Sequence, residues 1–250
     1  MYKVSPLFSA RNQKFNVIIL ASGLGTRLKP ETDFIPKALV ELGELRAIDY
    51  LILKYQYLAE RIIITVGYSA DLLRNYVKGK YSSLNLQFSR EEVSELRGPG
   101  KSLVYALDHA NSKLPTLITF CDYIIDDQFA VDYDAIGVCK PDEDYVYDTY
   151  KMLAVAEEGV AVDLIINDDL ENTKENGFTG ISICHNTILL KSIVYGAAES
   201  KTRLEDVDYA RIIRSYLQKV RTLALPLSRM YEFGTEDTLA KTRRYMGGSN

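Results

Sequence analysis

Val17-Ile18-Ile19-Leu20-Ala21 is an unbroken apolar run between polar neighbours, the pattern of a strand buried on both faces of a parallel sheet. Ile48, Leu51, Ile52, Tyr55 and Leu58 then recur at helical spacing, which predicts an amphipathic helix over residues 47–59. Arg61-Ile62-Ile63-Ile64-Thr65-Val66 returns as a second buried strand closed by Gly67-Tyr68, and Asp71, Leu72, Leu73, Tyr76 and Val77 mark the next helix. Residues 84–88 alternate as a third strand. After a charged stretch, Gly98-Pro99-Gly100-Lys101-Ser102-Leu103 opens a helix carrying Leu103, Leu107 and Ala110. Residues 115–122 form a buried strand that ends in a carboxylate, Asp122. Strands and helices in this alternation predict an α/β fold with a mostly parallel sheet and right-handed crossovers.

The second half is less regular. Residues 132–148 are acidic and tyrosine-rich and are expected to form a loop or rim. Residues 152–155 and 160–166 read as a hairpin around Glu158-Gly159, and 178–184 as a further strand after Gly177. Residues 203–217 read as a helix, with Leu204, Val207, Ile212, Ile213 and Leu217 toward the core. A terminal helix is expected from Glu236 to Tyr245, and residues 1–14 form an extended lead-in without a period.

The first strand feeds Ser22-Gly23-Leu24-Gly25-Thr26-Arg27-Leu28, followed by Pro36-Lys37-Ala38-Leu39. Glycines at 23 and 25 free two positions of Cβ atoms, so backbone N–H groups can approach an anion, and Arg27 and Lys37 bring fixed positive charge to the same place. This is a phosphate cradle. A dinucleotide fingerprint needs a third glycine where Leu28 stands, and a P-loop needs Gly-Lys-Ser/Thr where Thr26-Arg27-Leu28 stands. Gly100-Lys101-Ser102 is not a P-loop either, because Glu95 occupies the position of its first glycine and no buried strand leads directly into it. Asp122, delivered at a strand's C-terminal end, lies where open α/β sheets bind ligands and is a candidate metal ligand, with Asp126 and Asp127 as alternatives.

With Pro36-Lys37-Ala38-Leu39 included, the opening stretch resembles the signature of the nucleotidyltransferases that join a nucleoside triphosphate to a phosphorylated acceptor, most often a sugar 1-phosphate. The resemblance implies a Rossmann-like three-layer α/β/α fold in one domain. Residues 15–135 would form a nucleotide-binding half, 136–235 an acceptor-binding half and 236–250 a C-terminal helix and tail. It implies nucleotide contacts at Ala21, Ser22, Gly23, Gly25 and Thr26, with Arg27 and Lys37 as the catalytic cations. Gly98 and Gly100 would lie against the base, although Pro99 and Lys101 depart from the family's usual Gly-Thr-Gly or Gly-Thr-Ala. Mg²⁺ would be held by Asp122 and by Glu232, which precedes Gly234-Thr235 where the family usually has Asp-x-Gly-Thr. Gly180 would sit where the acceptor's ring is held. The family's Glu-Lys-Pro after the hairpin is replaced by Asn167-Asp168-Asp169, leaving Lys174 as the candidate for its phosphate-binding lysine. Glu205 is either an acceptor contact or a first-turn helix acid.

Composition narrows the partners without changing this picture. A net charge of −4 with mixed signs argues against a nucleic-acid surface. Cys121, Cys139 and Cys184 lack a C-x-x-C pair and read as buried residues of a reduced, cytoplasmic protein. No apolar run approaches the roughly 20 residues that cross a bilayer, so no membrane partner is expected, while a homo-oligomer is left open. His109 and His185 have no evident acid–base partner and are read as structural. Two readings stand beside sugar-phosphate transfer. One is a cytidylyltransferase acting on a non-sugar phosphate such as phosphocholine, whose quaternary ammonium tyrosines could hold by cation–π contact. The other is a non-catalytic nucleotide-binding regulatory subunit of the same fold.

Overall fold

The computed structural model describes residues 4–90, 99–140, 152–166, 176–199 and 208–247. The strands are β1 (Phe15–Leu20), β2 (Glu41–Leu42), β3 (Leu45–Arg46), β4 (Ala59–Val66), β5 (Leu86–Arg90), β6 (Thr116–Phe120), β7 (Tyr123–Ile125), β8 (Ala135–Cys139), β9 (Met152–Glu157), β10 (Val160–Ile166), β11 (Asn176–Cys184), β12 (Thr222–Leu227) and β13 (Met230–Glu232). The helices are α1 (Ala47–Tyr55), α2 (Ala70–Lys80), α3 (Pro99–Asp108), α4 (Thr187–Glu199), α5 (Tyr209–Leu217) and α6 (Glu236–Met246).

Nine strands form one sheet in the order β5-β4-β1-β6-β11-β8-β12-β10-β9. The first four are parallel, and their order reverses direction at β1: chain order runs outward to β4 and β5, then returns to β6 on the other side. That reversal opens a crevice at the C-terminal ends of β1 and β6. Past β6 the sheet is mixed, because β11 and β10 run against the other strands. β9 also pairs with the start of β11, so β11, β8, β12, β10 and β9 close on themselves in a ring.

The alternation of side chains along β1 splits the core between two faces. Val17 and Ile19 pack with α1, α2 and α6, whereas Ile18 and Leu20 pack with α3, α4 and α5. This is the three-layer arrangement expected from the sequence. Asn16, fully buried at the base of β1, satisfies its amide by donating to Asn111 O at 2.9 Å and accepting from Asn111 N at 2.8 Å.

Besides the short strands β2, β3 and β7, three longer elements differ from the sequence reading. The supposed loop from residue 132 contains β8, a central strand whose Gly137 is required because a Cβ there would lie 2.4 Å from Thr179 Oγ1. β12 was hidden by Pro226, which the sheet accommodates because β10 pairs with β12 only at Thr222 and Leu223. α4 was also unforeseen, although Leu190 and Val194 bury one face of it and Asn186 Oδ1 caps Leu189 N at 2.9 Å. Residues 203–207, the first turn of the helix expected there, lie outside the described residues, and α5 is described from Tyr209.

The buried tyrosines make stability sensitive to alkali. Burial raises the hydroxyl pKa of Tyr55, Tyr209 and Tyr216, and that of Tyr50 to about 12. Unfolded tyrosines ionise near pH 10, so these groups contribute full stability below about pH 10 and lose it as pH rises further. Lys54 has the opposite sign, since burial lowers its ammonium to about 8, so its contribution grows with pH between that value and the unfolded pKa near 10.4. The tyrosines outnumber it. Urea unfolding between about pH 8 and about pH 11 is expected to show the midpoint dropping above about pH 10; a midpoint that keeps rising there would contradict the assignment.

Candidate active site

The loop that leaves β1 is held from both sides. Ala21 N donates to Thr65 Oγ1 of β4 at 2.8 Å, and Cys121 N, just past β6, donates to Leu20 O at 3.1 Å. Gly67 lets the end of β4 approach so closely that a Cβ there would sit 2.5 Å from Ser22 O. Ser22 Oγ and Ser102 Oγ, on α3, are 2.7 Å apart, which brings the start of α3, with buried Gly100, against the same loop. Gly98 lies outside the described residues.

Gly23 faces open space, with nothing within 4 Å of a Cβ placed on it. Gly25 has φ +66°, a left-handed turn that glycine adopts without strain, and its carbonyl accepts from Thr32 Oγ1 at 2.7 Å. A short 3₁₀ turn, Thr26–Leu28, follows; fully buried Leu28 anchors it and leaves Thr26 and Arg27 at the surface. A second 3₁₀ turn, Lys37–Leu39, is likewise anchored by Ala38 and Leu39 and projects Lys37 the other way. Lys37 Nζ lies 2.7 Å from Asp122 Oδ2, with side chains 11% and 19% exposed, and 5.7 Å from the centroid of the Phe233 ring.

Asp122 sits between β6 and β7, and β13 pairs with β7 so that Glu232 faces Tyr123. Phe233 N donates to Asp122 O at 3.3 Å, which binds the two acid-bearing segments together. Glu232 is 2% exposed and is backed by α6, where Thr242 Oγ1 donates to its carbonyl at 2.9 Å. Gly234 is tight: a Cβ there would lie 2.8 Å from Glu232 Oε1 and 3.6 Å from Arg27 Nη2. Thr235 then caps α6 by accepting from Thr238 N. The Gly-Thr pair therefore has two local reasons, room between an acid and a guanidinium and a helix start.

Four charges thus converge at the crevice: Arg27 and Lys37 from the loop after β1, Asp122 from β6 and Glu232 from β13. Tyr123 senses them. Its hydroxyl pKa is pushed well up by burial and by the Asp122 and Glu232 carboxylates, with Arg27 opposing. Burial and then Asp122 raise the Cys121 thiol to about 12, so no thiolate is available there at neutral pH. Two hard carboxylates on adjacent segments suit Mg²⁺, which takes one or two protein acids and fills its octahedron with water and substrate oxygens. Among the described residues no cluster of three or more metal-ligating side chains competes with this pair.

The alternatives to Asp122 have other tasks. Asp126 Oδ2 accepts from Tyr245 OH at 3.2 Å, and Asp127 Oδ1 accepts from Ser228 N at 3.0 Å, while Lys54 Nζ donates to both of their carbonyls. His185 Nε2 contacts Val131 O at 2.8 Å and its ring packs edge-on against Phe15, a structural placement. Gly180 is buried in β11 with φ +79°. Lys174 and Glu205 lie outside the described residues. Gly234 is the glycine of the Gly-Thr pair that marks Glu232 in the sequence, whereas no local signal assigns a site role to Ser102 or Tyr123.

Residues 17–132 match the family model for the MobA-like NTP transferase domain. The chain is 47% identical over 68 residues to choline-phosphate cytidylyltransferase of Streptococcus pneumoniae, covering 26% of this chain and 28% of that protein. It is 27% identical over 185 residues to N-acetylmuramate alpha-1-phosphate uridylyltransferase of Caulobacter vibrioides, covering 67% and 74%. The matches to the first curated relatives span between 26% and 48% of those proteins' lengths. Its fold superposes on UDP-glucose pyrophosphorylase from Acinetobacter baumanii with a TM-score of 0.74 at 15% identity, over 94% of each chain. No described helix is long and apolar enough to cross a membrane. The match to the MobA-like NTP transferase model thus covers just under half of the chain, and the likeness of fold to UDP-glucose pyrophosphorylase extends over nearly all of it.

Proposed function

We propose that this protein transfers a nucleotidyl group from a nucleoside triphosphate to a sugar 1-phosphate, giving a nucleotide-diphosphate sugar and pyrophosphate. The observation that carries the reading is the Lys37–Asp122 contact of 2.7 Å at the sheet's switch point, with Glu232 and Arg27 beside it. An oxygen of the acceptor phosphate attacks the α-phosphorus; the new P–O bond forms as the bond to the β-phosphate oxygen breaks, and pyrophosphate leaves with the electron pair. The attacking oxygen is already ionised at neutral pH, so no general base is required. The difficulty is bringing two polyanions together.

The residues divide that work. Backbone groups of Ala21, Ser22, Gly23, Gly25 and Thr26 line the triphosphate, and Arg27 binds its β- and γ-phosphates, where leaving-group charge develops. Lys37 has three N–H donors, so it can keep one on Asp122 and turn the others to the transferred and acceptor phosphates. Asp122 and Glu232 would hold Mg²⁺, which would supply Lewis-acid neutralisation of the phosphate oxygens. Gly98 and Gly100 border the base, Gly100 from the first turn of α3. Gly180, Lys174 and Glu205 belong to the acceptor side. Three buried free cysteines suit a reducing cytoplasm.

A second reading, cytidylyl transfer to phosphocholine, is favoured by the 47% identity to a choline-phosphate cytidylyltransferase. Each of the four common triphosphates, mixed with Mg²⁺ and either glucose 1-phosphate or phosphocholine, separates the two by pyrophosphate release. Release with a sugar phosphate supports the first reading and release with phosphocholine the second. Absence of release with every sugar and non-sugar phosphate tried would leave a nucleotide-binding regulatory protein instead.

A further inference from the structure

We propose that Phe120 sets acceptor selectivity by covering Gly180 with its ring, so that the acceptor meets an aromatic wall rather than the bare glycine backbone. This rests on the nucleotidyl-transfer reading above and concerns the acceptor side of the same site.

β6 and β11 are antiparallel with Ser182 opposite Ile118, and continuing that register by two residues sets Gly180 across from Phe120. Gly180 has φ +79°, and a Cβ on it would lie 2.5 and 2.6 Å from Cδ2 and Cε2 of Phe120. The ring therefore fills the space over the glycine. Behind it, Tyr209 meets Phe120 edge-on at 5.1 Å and 87°, and donates from its hydroxyl to Gly180 O at 3.1 Å. Tyr209 in turn stacks on Phe178 at 6.0 Å. Tyr123 stands on the other side, 5.7 Å from Phe120 between ring centroids.

Exposure separates a wall from its support. Tyr209 and Phe178 are buried, whereas Phe120 and Tyr123 are partly exposed and flank Asp122 in sequence. Phe120 brings no donor or acceptor to that surface. It offers a π face and edge, to which a cationic onium group is drawn more strongly than the neutral C–H face of a sugar ring. It also limits depth, since its six-membered ring stands in space that a smaller side chain would vacate.

The test compares kcat/KM for phosphocholine and for glucose 1-phosphate, with the preferred triphosphate, in wild type and Phe120→Leu. Removing the ring is expected to lower the phosphocholine to glucose 1-phosphate ratio by about 10-fold, with KM for the triphosphate within about 2-fold of wild type. Phe120→Tyr keeps the ring and should retain the wild-type ratio within about 3-fold. A purely structural role for Phe120 would lower both acceptors together and leave the ratio unchanged, which overturns the proposal. If Phe120→Leu does not fold, Phe120→Met, of similar volume without the π face, reads the same ratio. Wild type that releases no pyrophosphate with either acceptor and shows no thermal shift with any triphosphate overturns the transfer reading and this assignment with it. Active wild type with an unmoved ratio overturns the role of Phe120 alone.

Discussion

Lys37→Ala is expected to reduce kcat/KM for pyrophosphate release by about 10²- to 10³-fold, because it removes a buried cation aimed at charge that grows in the transition state. Asp122→Asn should cost a similar factor and raise the Mg²⁺ concentration needed for half-maximal rate. The two side chains are 2.7 Å apart and each is largely covered, so neither acts alone. The double variant is therefore expected to fall little below the worse single variant, since the second change removes an interaction already broken. Steady-state pyrophosphate release with a Mg²⁺ titration, on the two singles and the double, reads all of this. Turnover near wild type in Asp122→Asn would sink the metal assignment, and fully multiplicative losses would show that the pair is not a unit.

Asp49→Ala is expected to destabilise the fold by about 3 kcal/mol, or roughly 10 °C in Tm for a chain of this size. Asp49 opens α1 and is completely buried, yet it is far from isolated. It accepts from Arg46 N at 3.0 Å, Tyr76 OH at 2.7 Å, Tyr81 OH at 2.8 Å and Lys80 Nζ at 2.9 Å, tying α1 to α2. Removing the carboxylate leaves a backbone N–H and two phenols without their acceptor, which costs more than the loss of any one bond. Lys80→Met takes the cation from the buried carboxylate but leaves its three other donors in place, so it should cost less, about 1–2 kcal/mol. Urea denaturation of the two variants tests the contrast, and equal losses would contradict it.

The glycine-rich first loop was legible because it is local. A continuous apolar strand, Gly23, Gly25 and the cations Arg27 and Lys37 follow one another within residues 17–37, and their chemistry depends little on the rest of the chain. Asp122 was legible for a similar reason, as the carboxylate at the end of an apolar strand. The second half of the chain behaved differently. β8 is five residues long and carries a glycine, and β12 carries a proline, so neither has the run or alternation that marks a strand. Each is a strand because its neighbours pair with it: Leu223 to Leu227 match Ala135 to Cys139 residue by residue. α4 is the exception, since its cap and its i, i+4 apolar pair were present in the chain and were passed over.

The amino-acid pattern alone settles the main alternation of strands and helices through residue 122 and the glycine-rich, cationic character of the first loop, because backbone preference, periodicity and glycine placement act over a few residues. Tertiary structure decides what is non-local: Lys37 meets Asp122 across 85 positions, Glu232 reaches the same corner through β13, and Phe120 lies over Gly180 from a different strand. Contacts of that kind arise from strand order and register in the sheet, which no stretch of the chain encodes in isolation. The cations Arg27 and Lys37 are written near the first strand, and the acids that meet them come from the fold.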